Sequence, residues 1–301
     1  MCINQYDAAV VFGDFVGIIK HDECFSIYKF MKILLSIFFT PVVMLLTPGD
    51  VLAAIRTKTI EYKQGNTILA GYLAYDDAIK SKRPGVLVVH DWTGLQSFAK
   101  QRTEQLAKMG YVAFAADIYG KGIRPKNAEE SGAQAKLYRD DRQLLRDRAI
   151  AGLQVLQKNQ FTDPKRIAAI GYCFGGGTVL ELARSGANIQ GVVSFHGNLD
   201  TPNPEDAKNI KSKVLVLHGA DDPLVPEQQV NGFAREMRLA NIDWQLISYG
   251  GAVHSFTNPA AKDKLKGSVY NPIAEQRSWQ AMRQFFAEIF RTPGSNSKSS
   301  N

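Results

Sequence analysis

Two rhythms of apolar residues alternate along the chain from Thr57 onward. "TKTIEYKQGNTILAGYLAY" (Thr57–Tyr75) alternates apolar and polar positions in two runs around Gly65-Asn66, the pattern of a β-hairpin. "GVLVVH" (Gly85–His90), "YVAFAAD" (Tyr111–Asp117), "RIAAIGY" (Arg166–Tyr172), "GVVSFHG" (Gly191–Gly197) and "KVLVLHG" (Lys213–Gly219) are nearly unbroken apolar runs, as expected of strands covered on both faces. "DWQLISY" (Asp243–Tyr249) is a further strand. Between them lie stretches with helical periodicity: Phe98–Lys108, one long stretch over Asn127–Lys158, Gly176–Ser185, Glu227–Ala240 and Ala274–Phe290. This alternation predicts an α/β fold, a mainly parallel twisted sheet with helices on both faces, over residues 54–291.

The N-terminus follows another pattern. "ILLSIFFTPVVMLL" (Ile33–Leu46) is apolar and uncharged, but shorter than the ~20 residues of a membrane span and interrupted by Pro41. With Met31-Lys32 before it and "VLAA" (Val51–Ala54) after it, residues 31–53 read as a secretory signal peptide cleaved after Ala53. A buried helix or an uncleaved anchor is the alternative. Residues 1–30, with Asp7, Asp14, Asp22 and Glu23, do not suit a signal and are expected to be a mis-assigned extension ahead of a start at Met31. The product is then exported, to the periplasm or beyond, without a stable membrane anchor. The polar end, residues 292–301, is expected to be disordered.

Composition narrows the function. With 45% hydrophobic and 22% charged residues, the chain can bury a core. The net charge of +7 is scattered, with no Lys/Arg tract interleaved with aromatics, so nucleic acid is not an expected partner. The mixed-sign run "RDDRQLLRDR" (Arg139–Arg148) reads as a solvated helix face with ion pairs at helical spacing. Two of the three cysteines, Cys2 and Cys24, precede Met31. The mature chain keeps Cys173 alone, which excludes an internal disulfide and leaves a buried bystander or a reactive thiol.

Cys173 sits in "GYCFGGG" (Gly171–Gly177), a G-x-C-x-G turn between a predicted strand and a predicted helix. This is the spacing of a nucleophile elbow, in which glycines let strand and helix approach closely and the central side chain rises over the sheet edge. A helix N-terminus there favours a thiolate. A phosphate loop would need a different spacing. Downstream, "HGADDPLVP" (His218–Pro226) ends a strand with Asp222, and "GGAVHSF" (Gly250–Phe256) presents His254 after the next strand. Alone, Asp222 could be a turn residue and His254 an ordinary loop histidine. In the order nucleophile, acid, histidine they form a candidate triad. His90, His196 and His218 each end an apolar run and suit buried, hydrogen-bonded scaffold roles; with Cys173 they lack the spacing of a zinc site, so no metal is expected.

The stretches "HDWTG", "ADIYG", "IGYCFGG", "HGADDPLVP" and "GGAVHSF" together resemble the dienelactone hydrolase family of the α/β-hydrolase superfamily, over most of Ile60–Phe290. The resemblance implies an α/β-hydrolase fold, Cys173 as nucleophile, His254 as base, Asp222 as acid, and an oxyanion hole from the backbone N–H groups of Trp92 and Phe174. Asp91 stands where the family's type enzyme has a glutamate that activates the thiol. It either plays that part with a shorter side chain or orders its loop. The type enzyme also has a substrate-binding arginine shortly after its histidine, where this chain has Thr257 and Asn258. Arg124, Arg139 and Arg142 lie in a region whose alignment with the family leaves their roles open.

The expected activity is hydrolysis of a small-molecule ester or lactone through a thioester acyl-enzyme, with no cofactor. Tyr119 and Phe256 are candidate pocket residues, and Trp92 with Tyr119 would suit a glycan or envelope-polymer ester. The alternative is a ligand-binding or thiol redox-sensing protein on a hydrolase scaffold, without turnover. The oligomeric state is left open.

Overall fold

The computed structural model describes residues 54–291 and two short strands nearer the start, β1 (Ala9–Phe12) and β2 (Phe15–Ile18), which pair antiparallel. Those strands belong to a first compact unit, Met1–Val51. The expected signal segment 31–53 and the polar tail 292–301 lie outside the described residues, as does most of 1–30.

The second unit opens with the hairpin β3 (Ile55–Gln64) and β4 (Thr67–Asp76), paired throughout their length. Gly65, at φ +54°, occupies the turn where a left-handed backbone is needed. There follow β5 (Arg83–Val89), α1 (Ser97–Lys108), β6 (Val112–Ala116), α2 (Ala128–Asp140), α3 (Arg142–Lys158), β7 (Thr162–Tyr172), α4 (Phe174–Arg184) and β8 (Gly191–Phe195). A short 3-10 turn, β9 (Lys213–Gly219), α5 (Glu227–Leu239), β10 (Trp244–Tyr249), the small hairpin β11 (Lys262–Asp263) and β12 (Ser268–Val269), and α6 (Pro272–Ile289) complete it. Eight strands form one sheet in the order β10-β9-β8-β7-β5-β6-β4-β3, parallel from β10 to β6 and antiparallel at the β4 and β3 edge.

The apolar runs are continuous because alternate residues serve two cores. In β5, Val86 and Val88 join Leu106 of α1 and Phe285 and Phe286 of α6 on one face. Leu87 and Val89 join Leu145 and Leu153 of α3 and Leu180 of α4 on the other. Each fully buried Val or Leu contributes roughly 1.5–3 kcal/mol. The chain crosses from β5 to β6 in one direction and then to β7 on the opposite side of β5. The carboxyl ends of β5 and β7 therefore flank a topological switch point, where such sheets bind ligands.

Two expectations are corrected. The helical stretch over Asn127–Lys158 is two helices, because Asp141 takes φ −111°, ψ 83° and its carboxylate accepts from Leu144 N, capping α3. The run Arg139–Arg148 is not a solvated face paired along its own helix. Arg148 is buried, Arg146 pairs with Glu181 and Asp206, and Arg142 pairs with Asp200, all across the fold. Arg142 and Arg146 thereby point toward α4 and the segment after β8, a tertiary demand that outweighs local spacing.

Strand β7 and helix α4 meet with almost no room. A Cβ on Gly171 would lie 1.9 Å from the Gly175 carbonyl oxygen, and one on Gly175 would lie 2.3 Å from that of Val89. Gly171→Ala is expected to destabilise the fold by about 3 kcal/mol or more. Gly132→Ala, in α2 with open space around it, is expected to stabilise it by roughly 0.5–1 kcal/mol. Urea unfolding of both variants checks the pair.

Candidate active site

The turn from β7 into α4 holds Cys173 at φ +54°, ψ −115°, a strained conformation for a residue with a side chain. It is locked from both sides. Cys173 N donates to Phe195 O at 3.0 Å, and Gly176 N donates to Cys173 O at 2.9 Å. The side chain, 7% exposed, thereby stands over the sheet edge at the N-terminus of α4.

His254 follows β10 and is fixed through its backbone. Its N–H donates to Gly267 O at 3.0 Å, and its carbonyl accepts from Val269 N at 3.1 Å. The β11–β12 hairpin thus clamps the loop that carries it. The His254 Nε2 lies 3.0 Å from Cys173 Sγ, and Nδ1 lies 2.8 Å from Asp222 Oδ2. Asp222, in the turn after β9, is itself oriented by Leu224 N, which donates to Oδ1 at 2.8 Å. The structure brings all three residues together in the expected order, each nearly buried.

Burial works against a charge on His254. The neighbouring Cys173 sulfur and the hydrogen-bonded Asp222 carboxylate outweigh it and raise the imidazole pKa to about 10. For His90, His196 and His218 burial outweighs the groups around them and pushes their pKa values down. His196 sits behind His254, its Nε2 2.7 Å from Thr257 Oγ1 and its ring edge-to-face with His254 at 5.3 Å.

The N–H groups of Trp92 and Phe174 have no acceptor among the described residues; Trp92 lines the cleft, and Phe174 follows the cleft residue Cys173 as the first residue of α4. Asp91 is engaged locally: its Oδ1 accepts from Thr93 N at 2.8 Å and Thr93 Oγ1 at 2.5 Å. That is the loop-ordering geometry. Two pocket candidates are corrected. Tyr119 and Phe256 are 1% and 0% exposed and lie behind the cleft rather than on its wall. Tyr119 donates from its hydroxyl to Trp92 O at 2.9 Å, and Phe256 packs on His196 and Tyr249.

The cleft over Cys173 measures about 940 Å³ and is walled by Trp92, Arg139, Asn198, Leu224 and Leu265. A second, more polar hollow of about 1030 Å³ shares Trp92, Ala128, Ser255 and Ser268 with it. The sequence reading left the role of Arg139 open and singled out neither Asn198, Leu224 nor Leu265. They come from α2 and three separate loops, and no local motif marks them. Among the described residues no group of three or more His, Cys, Asp or Glu is assembled to hold a metal ion, and no helix is long and apolar enough to cross a membrane.

A parallel sheet whose strand ends carry a cysteine elbow, a histidine and an aspartate defines an α/β-hydrolase. The family model for the dienelactone hydrolase family matches residues 69–290, and the chain belongs to that family, whose members hydrolyse esters and lactones. It is similar to protein usf of Aquifex pyrophilus, 29% identical over 237 residues that cover 76% of this chain and 97% of that protein. Among solved structures, it is similar to m3DLH (42% identity, TM-score 0.77) and to a dienelactone hydrolase-like promiscuous phosphotriesterase from metagenomic libraries (40% identity, TM-score 0.76). Both matches cover 79% of this chain and all of the other.

The raised pKa has a sign. A histidine raised from 6.5 to about 10 contributes stability that is fully present below about pH 6.5 and is lost as pH rises through 10. The His254 ring protons, followed by NMR, are expected to titrate near pH 10 in the wild type and at markedly lower pH in Cys173→Ala, which removes the neighbouring sulfur.

Proposed function

We propose that the protein hydrolyses a carboxylic ester or lactone through a thioester on Cys173, with His254 and Asp222 completing the triad. The observation that carries this reading is the unbroken relay Cys173 Sγ to His254 Nε2 at 3.0 Å and His254 Nδ1 to Asp222 Oδ2 at 2.8 Å.

In this mechanism the Cys173 thiol proton resides on His254, and Asp222 stabilises the imidazolium. The thiolate attacks the substrate carbonyl, and the Trp92 and Phe174 N–H groups stabilise the oxyanion that forms. The oxyanion collapses, the C–O bond breaks, and His254 returns the proton to the departing alkoxide. Neutral His254 then takes a proton from water, whose oxygen attacks the thioester. The C–S bond then breaks, the carboxylic acid leaves, and His254 keeps the proton beside the regenerated thiolate. Alkoxides and enolates are expelled readily along this path, so esters and lactones rank above amides as substrates.

Arg139 supports an acidic substrate. Its guanidinium borders the cleft, is held by Asn198 Oδ1 at 2.8 Å, and has no carboxylate partner among the described residues. Export of the mature chain is part of the proposal, resting on the apolar block Ile33–Leu46 and the small residues that follow it.

Hydrolysis of p-nitrophenyl acetate and a panel of lactones is expected in the wild type. Cys173→Ala is expected to abolish it, and Asp222→Asn to lower kcat by at least about 10²-fold. Undiminished turnover in Cys173→Ala would overturn the reading. Arg139→Ala is expected to raise KM about tenfold for an ester carrying a carboxylate, at little cost for its neutral counterpart. Paired steady-state kinetics on the two esters measure that difference.

A further inference from the structure

We propose that His90 is a positioning residue for the oxyanion hole, aiming the Trp92 N–H by holding the other end of the same peptide bond. The inference rests on the thioester reading above. His90 is fully buried at the end of β5. Its Nε2 lies 3.2 Å from Ile118 N, and a backbone N–H can only donate, so Nε2 is the acceptor and Nδ1 carries the proton. Nδ1 then donates to Asp91 O at 2.7 Å.

That carbonyl and the Trp92 N–H belong to one planar trans peptide and point in opposite directions. Fixing the first fixes the second. Gly94 N adds a second hydrogen bond to Asp91 O at 3.1 Å, the Asp91 carboxylate holds Thr93, and the Tyr119 hydroxyl holds Trp92 O. Within this bound loop the Trp92 N–H is left without an acceptor among the described residues. His90 reaches the other donor as well: its ring stacks on that of Phe174, with centroids 6.0 Å apart, and meets Tyr119 edge-on at 4.8 Å. Burial keeps the imidazole neutral, so it offers one N–H, and that N–H is committed to Asp91 O.

The test uses the full chain with His90→Asn, His90→Gln and His90→Leu. Asparagine can place an amide N–H near the position of Nδ1; glutamine reaches the position of Nε2 instead. His90→Leu and His90→Gln are expected to lower kcat for p-nitrophenyl acetate by about 10²-fold, the loss seen when an oxyanion donor is removed, with KM little changed. His90→Asn is expected to recover most of that loss. Alkylation of Cys173 by iodoacetamide, which forms no oxyanion, is expected to keep its wild-type rate in all three. Alkylation falling in step with turnover would mean that His90 merely supports the fold, and would overturn the proposal. So would wild-type kcat in His90→Leu and His90→Gln. Cys173→Ala, measured alongside, separates the two layers. If it retains turnover, the thioester reading fails and this one with it. If it is inactive while His90→Leu is unimpaired, only the assignment to His90 fails.

Discussion

The contact between the β7–α4 turn and the strand beside it governs the rest of the molecule. Gly171 and Gly175 come so close to neighbouring backbone that neither can carry a side chain, and only under that constraint is Cys173 forced to φ +54°. The strained backbone sets the thiol above the sheet edge, at the N-cap of α4. The same close approach brings the end of β5 against the turn, so that Trp92 and Cys173 line one cleft. Strain of this kind persists because the flanking strands are buried on both faces and cannot relax around it.

Electrostatics then assigns different work to chemically identical residues. His254 lies between a sulfur and a carboxylate and is held toward its charged form, whereas for His90, His196 and His218 burial outweighs their neighbours and holds them neutral. A charged imidazole has a proton to give to the departing alkoxide. A neutral one has a fixed donor and a fixed acceptor, which suits the holding of backbone groups. The aspartates divide in the same way. Asp222 gives one oxygen to His254 and one to its own turn, while Asp91 gives its contacts to Thr93 and orders the loop beneath Trp92.

Much of this was legible in the sequence, because the strand runs and the elbow are local patterns. The apolar run Gly85–His90 requires burial on both faces, and a cysteine between glycines after such a run has few other structural uses. What remained hidden is tertiary. The break at Asp141 depends on where Arg142, Arg146 and Arg148 must point, and no periodicity within the helix encodes that. Tyr119, expected as a pocket aromatic, has its ring packed against His90, Tyr138 and Phe174. The place of Arg139 beside the cleft depends on Asn198 from a distant loop, which no local pattern encodes.

The central claim is covalent, and its most direct test is intact-protein mass spectrometry of the wild type, quenched in acid during turnover of an aryl ester. The account predicts a mass increase of one acyl group, mapped to the peptide containing Cys173 and released by hydroxylamine at neutral pH. Sustained turnover with no adduct, or an adduct on a residue other than Cys173, would contradict it.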